Sequence, residues 1–100
     1  MKLGILVNTD RHTEDLIGIA NAAVAKGHQV IIFFMNGGAR LLANSAVNNL
    51  AELQGVNMSY CDYTTQQIEM SKEGIHELVD CGSQYNNTTM QHEADRVIVL

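Results

Sequence analysis

Two short apolar runs constrain this chain more than any other feature, Leu3-Gly4-Ile5-Leu6-Val7 and Val30-Ile31-Ile32-Phe33-Phe34, while Arg96-Val97-Ile98-Val99-Leu100 reads as a closing strand. Runs this short with no polar alternation read as strands buried on both faces. Between the first two, Leu16, Ile19, Ala20, Ala23 and Val24 recur at helical spacing and make one apolar stripe. Thr13 is placed to cap that helix, Glu14 and Asp15 suit its positive end, and Lys26-Gly27 supply a stop. Strand, helix, strand in this order implies right-handed crossovers and a parallel sheet covered on both sides. The expected class is therefore α/β.

The middle of the chain continues the alternation. Asn36-Gly37-Gly38 reads as a turn at the carboxyl end of the second strand. Leu42, Ala43, Ala46, Val47, Leu50 and Leu53 trace a second helical stripe that ends near Gly55. Val56-Asn57-Met58-Ser59-Tyr60 is a third strand leading to Cys61. Thr64 to Lys72 holds too few apolar residues to choose between a short helix and a loop. Ile75, Leu78 and Val79 suggest a helical turn, Val79 to Ser83 a short strand, and Asn86 to Ala94 a final helix.

Composition excludes several classes. The net charge is -5, and the six Lys and Arg residues are scattered from Lys2 to Arg96, so nucleic acid is not an expected partner. No apolar run approaches membrane-spanning length, and none is expected to cross a bilayer. The opening residues Met1 to Asn8 resemble a first strand, not an export signal. With two cysteines and no such signal, a cytoplasmic, reducing location with free thiols is expected. At 100 residues, one domain over 1–100 is the expectation.

Cys61 is the chemically informative residue. At the end of a parallel strand it stands where open α/β sheets put their ligands. Thr64 and Thr65 follow it, and a helix opening there turns amides toward the sulfur, which lowers a thiol's pKa. The plainer reading is a small buried apolar residue. Asp62, its acidic neighbour, raises the thiol's pKa unless its side chain turns away. Asn8, Thr9, Asn36 and Gly37 lie at the carboxyl ends of the first two strands and are possible site-lining residues beside turn formation. Cys81 is a possible second thiol, although packing is its simpler role. Tyr85 with Asn86-Asn87 either lines the same edge or stops a strand.

Gly4 to Thr9, Phe33-Phe34 with Gly37-Gly38, the strand-end Cys61, Gly74-Ile75 and Glu93-Ala94-Asp95-Arg96-Val97-Ile98 together resemble the DsrE-like (DsrE/DsrF-like) proteins. These are small proteins of sulfur relay and sulfur oxidation. The resemblance runs from end to end in matching order. It implies a three-layer α/β/α domain with a five-stranded parallel sheet, and a homo-oligomer, a trimer or hexamer. It also implies a sulfurtransferase-type carrier whose thiol, matched here by Cys61, takes sulfur from a donor protein and gives it to an acceptor as a persulfide. No cofactor is implied. The competing expectation is a non-catalytic oligomeric binding or assembly module with inert cysteines.

Other thiol chemistries fit less well. A peroxiredoxin-type site needs a proline-containing loop before its cysteine, and the chain has no proline. There is no Cys-x-x-Cys pair for dithiol exchange. Cys61, His76, Cys81 and His92 match no zinc spacing. His12 follows the first strand and faces the candidate edge if it has a role at all. The glycines match neither dinucleotide nor P-loop patterns.

Overall fold

The computed structural model describes residues 1–100 as five parallel strands with helices on both faces. The strands are β1 (Lys2–Val7), β2 (Gln29–Phe34), β3 (Val56–Cys61), β4 (Val79–Gly82) and β5 (Arg96–Val99), in the sheet order β4-β3-β2-β1-β5. The helices are α1 (Thr13–Ala25), α2 (Ser45–Asn48), α3 (Asp62–Gln67) and α4 (Gln84–Glu93). The chain walks outward from β1 to β4, then returns across the sheet so that β5 pairs with β1.

Alternation along the strands builds two cores. Leu3, Ile5, Val7, Val30, Ile32, Phe34, Val56, Met58 and Tyr60 point to one face, packed against Leu16 and Ala20 of α1 and Leu42, Val47 and Leu50 of the segment after β2. Phe33, Cys61 and Met90 form the core of the other face, with Leu6, Ile31, Met35 and Val97 partly buried around them. That second layer is thin. It consists of α4 alone, which packs on β1, β2 and β3 and leaves Asn57 and Val99 exposed.

Several local expectations change. Thr13 is the first helical residue of α1, and His12 holds the cap position without a side-chain hydrogen bond. Gly27, at φ 81°, ends the helix. The second stripe is not one helix. It divides into a 3₁₀ segment Asn36–Ala43, α2, and a 3₁₀ turn Asn49–Glu52. Asn44 breaks it: its backbone is extended, and its side-chain oxygen accepts the Ala46 and Val47 amides at 2.9 and 3.3 Å. Val79 opens β4 and belongs to no helical turn. Helix α4 starts two residues earlier than the periodicity implies, because Ser83 caps it and the Asn86 side chain accepts the Ser83 amide in return.

Candidate functional site

The carboxyl ends of β1, β2 and β3 lie along one edge of the parallel sheet, and Cys61 stands at the end of β3. Cys61 closes β3 and occupies the cap position of α3, so its side chain enters the α4 face of the sheet while the chain turns. It is only 2% exposed, with Phe33 and Met90 in the same cluster. Burial pushes its thiol pKa up. Hydrogen bonds from the Thr64 hydroxyl, the Thr64 amide, the Gln84 side chain and the Tyr63 amide outweigh burial and hold it below the ordinary 9.0.

A polar chain supports that arrangement. The Asn36 side chain donates to Asn8 Oδ1 at 2.7 Å, and the Asn36 amide donates to Thr64 Oγ1 at 3.3 Å. Because Thr64 Oγ1 accepts from Asn36, its own proton is free for Cys61. Asn36 sits at φ 50°, in the left-handed region that Asn tolerates better than most residues. Two residues later Gly38 runs against β1: a Cβ there collides with the Val7 carbonyl oxygen. Its amide donates to the Asn8 carbonyl at 3.2 Å, which fastens the loop after β2 to the end of β1.

The remaining expected residues lie elsewhere. Thr9 is tied to the end of β5, its amide and hydroxyl both donating to the Leu100 carbonyl at 3.1 and 3.3 Å. Thr65 is buried and donates its hydroxyl to the Asp62 carbonyl at 2.7 Å, closing the first turn of α3. Gly37 lies between Arg40 and Asn8 without a contact to the thiol. His12 is exposed, 3.5 Å from Asp15. Tyr85 is 77% exposed in the first turn of α4.

Asp62 turns away from Cys61. Its carboxylate meets Lys72 Nζ at 2.8 Å and accepts from the Gln66 side chain at 3.1 Å. The Lys72 ammonium leads the groups that hold its pKa below the ordinary carboxylate value. Cys81 is exposed, contrary to the packing role, and lies on that same side. It stands opposite Tyr60 in the register, whose hydroxyl is pushed upward by burial and then by its hydrogen bond to Cys81.

Gln84 is the site residue that sequence reasoning missed. Its Nε2 donates to Met35 Sδ at 3.8 Å and its Oε1 accepts from Asn87 at 3.2 Å, which draws the start of α4 toward the ends of β2 and β3. The Ser83-x-x-Asn86 capping pattern is the signal that could have placed it. A groove of about 210 Å³ between α4 and the β3–β4 side is lined by Asn57, Ser59, Asp80, Tyr85 and Glu93 among others, but not by Cys61.

The fold has a solved counterpart. The crystal structure of the YchN protein from E. coli superposes with a TM-score of 0.72 at 15% identity, covering 99% of this chain and 97% of that one. At that identity the likeness shows the fold. No curated protein matches the chain. The model of the DsrE/DsrF-like family matches residues 1–100, from the strand that begins the sheet to the one that closes it at β1, and the chain belongs to that family.

Proposed function

We propose that the protein is a sulfur carrier, with Cys61 accepting and donating sulfane sulfur as a persulfide. The observation that carries this reading is the place of Cys61, which closes β3 at the carboxyl edge of the sheet and holds the cap position of α3; the net lowering of its thiol pKa agrees with it. Family membership supports it at the coarser level of a sulfur-relay role.

The chemistry needs little more. The Cys61 thiolate attacks the outer sulfur of a donor persulfide, R–S–SH. The donor S–S bond breaks, R–S⁻ departs and takes a proton from solvent, and the sulfur remains on Cys61. A second protein's thiolate then attacks that outer sulfur and Cys61 leaves as thiolate. The exchange is redox-neutral. A lowered pKa increases the thiolate fraction at neutral pH and makes Cys61 a better leaving group, at some loss of intrinsic nucleophilicity.

In this reading one domain acts in the cytoplasm as a homo-oligomer, a trimer or hexamer, and its partners are sulfur-donor and sulfur-acceptor proteins. The thin α4 layer supports association: Leu6, Ile31, Met35 and Val97 are only partly covered and Val99 is 64% exposed. No helix is long and apolar enough to cross a membrane.

Incubation with glutathione persulfide, followed by intact mass before and after reduction, tests the reading. One reducible sulfur on Cys81→Ser and none on Cys61→Ser/Cys81→Ser is the expected result. Absence of an adduct on Cys81→Ser, or equal loading of the double variant, overturns it in favour of an inert assembly module.

A further inference from the structure

The face of the sheet that carries Cys61 continues away from the thiol as a polar groove. Asn57 and Ser59 alternate in phase with Cys61 along β3, so all three side chains lie on the α4 side. The register places Asp80 of β4 beside Ser59, and Ile31 of β2 beside Asn57. Helix α4 forms the other wall, from Tyr85 to Glu93, about 12 Å of helix at roughly 1.5 Å per residue. Glu93 stands at the amino ends of the strands, where it also lines a hollow with Lys2 and Gln29. The Asn86 side chain fills the space over Gly82, the register partner of Cys61, and bounds the groove toward the thiol.

The polar groups of this groove have no partners within the chain. Ser59 is only 9% exposed, and its hydroxyl makes no hydrogen bond. No side-chain oxygen in the chain is both sealed and unpartnered, so the Ser59 Oγ is reached from the groove it lines. An unpartnered polar group this deep in a fold is uncommon. Asp80 and Glu93 form no ion pair, and no Lys, Arg or His lines the groove. Asn57 is exposed, and its side-chain amide is free as well. The apolar residues beside these groups are Ile31 and the buried Met90.

We propose that this groove binds a linear aliphatic polyamine. One ammonium meets Asp80 and Ser59, another meets Glu93 and Asn57, and the methylenes between them lie along Ile31 and Met90. An ammonium is all donor, and each of these four side chains can accept. A cleft with two carboxylates and no basic residue concentrates negative potential, which draws a cation in. The volume of about 210 Å³ lies below the roughly 300 Å³ at which drug-sized ligands begin, and it suits an unbranched chain. Tyr85, exposed in the first turn of α4, adds an aromatic ring, a further favourable neighbour for a cation. The site is separate from Cys61 and stands whether or not the carrier reading does.

Calorimetric titration with spermidine at low salt, with NMR mapping of the backbone amides, tests the proposal. Saturable one-to-one binding is expected, with the largest amide shifts at residues 57–59 and 89–93. Ser59→Ala removes a hydroxyl that nothing in the chain uses, so the fold stays as it is while Kd rises about fivefold. Asp80→Asn and Glu93→Gln each raise Kd about threefold. Asp15→Asn removes the same charge from the exposed side of α1 and changes Kd little. Nα-acetyl-lysine amide offers a single ammonium on a similar stem and binds at least about threefold more weakly, the loss of one exposed ion pair. Equal binding of that amide reassigns the groove to a partner protein's lysine and overturns the free polyamine. Absence of saturable binding, an unchanged Kd in Ser59→Ala, or a loss at Asp15→Asn equal to that at Asp80→Asn overturns the site in favour of diffuse attraction to an acidic surface.

Discussion

Cys61 and Cys81 lie on neighbouring strands but on opposite faces of the sheet. The parallel register pairs Tyr60 with Cys81 and Cys61 with Gly82, so the thiols are one step out of phase. Successive strand residues point to opposite faces, which sends Cys61 under α4 and Cys81 toward Tyr60 and Asp62. Side chains that diverge across a sheet cannot form a disulfide without backbone movement. Mild oxidation with diamide is expected to leave no intramolecular Cys61–Cys81 bond and to consume the exposed Cys81 first. Peptide mapping under non-reducing conditions checks this. A Cys61–Cys81 crosslinked peptide from folded protein contradicts it.

The Thr64 hydroxyl heads the groups that lower the Cys61 pKa and itself accepts the Asn36 amide at 3.3 Å. Thr64→Val keeps the shape and removes the hydroxyl. The Cys61 alkylation midpoint is expected to rise, and the fold to lose about 1 kcal/mol as the Asn36 amide gives up its acceptor. Urea unfolding reads the stability and alkylation reads the midpoint. A midpoint that stays put while stability drops shows Thr64 to be structural only.

Because the native Cys61 pKa lies below its unfolded value, the linkage has a definite sign. Between the two values the unfolded chain holds a proton that the native state has released, so stability rises with pH through that window. The contribution is complete above 9.0 and is lost as pH falls through the lowered native value. Comparing Cys81→Ser with Cys61→Ser/Cys81→Ser by urea midpoint removes the opposing effect of Tyr60, which is common to both. The stability advantage of the Cys61 protein is expected to grow from neutral pH to the ordinary thiol value and then level. A flat difference rules out the lowered pKa.

Most of the frame was legible because it is written in local pattern. Leu3 to Val7 and Val30 to Phe34 read as buried strands, and Cys61 falls at the end of β3 where the sequence placed it. The misses have tertiary causes. Asn44 interrupts a good apolar stripe by capping a new helix, a choice that periodicity alone does not register. Gln84 was invisible because its meaning depends on β4, whose four residues Val79-Asp80-Cys81-Gly82 carry little apolar signal. Only the completed register brings the start of α4 over β3. For Asp62 the sequence leaves two outcomes open, repulsion of the thiolate or a side chain that turns away, and the turn into α3 settles it by sending the carboxylate to Lys72.

That separation has its own test. Asp62→Asn is expected to leave the Cys61 alkylation midpoint where it is, since the carboxylate is engaged with Lys72 and is not among the groups that shift the thiol. The same substitution removes one of the groups that raise Tyr60, so the tyrosinate absorbance transition moves to lower pH. A downward shift at Cys61 of the size expected from relief of direct like-charge repulsion contradicts the geometry.

Gly38 is where the site depends most on backbone contact. The loop after β2 must press against β1 for Gly38 to donate to the Asn8 carbonyl and for Asn36 to reach both Asn8 and Thr64. An added Cβ meets the Val7 carbonyl oxygen and carbon and a Val7 methyl together, and a buried strand has no room to retreat. Gly38→Ala is therefore expected to cost about 1–3 kcal/mol, the usual range for overpacking. At roughly 4–8 °C per kcal/mol for a domain this size, calorimetry resolves it easily. The displaced loop also withdraws the Asn36 amide from Thr64, so the Cys61 midpoint changes together with stability. Gly37→Ala is the control: its Cβ finds ordinary contacts with Arg40, Asn8 and Asp10 at 3.4–3.9 Å, and it is expected to change both properties little. Equal losses for the two alanines contradict the specific contact at Gly38 and point to a general demand for glycine in the turn.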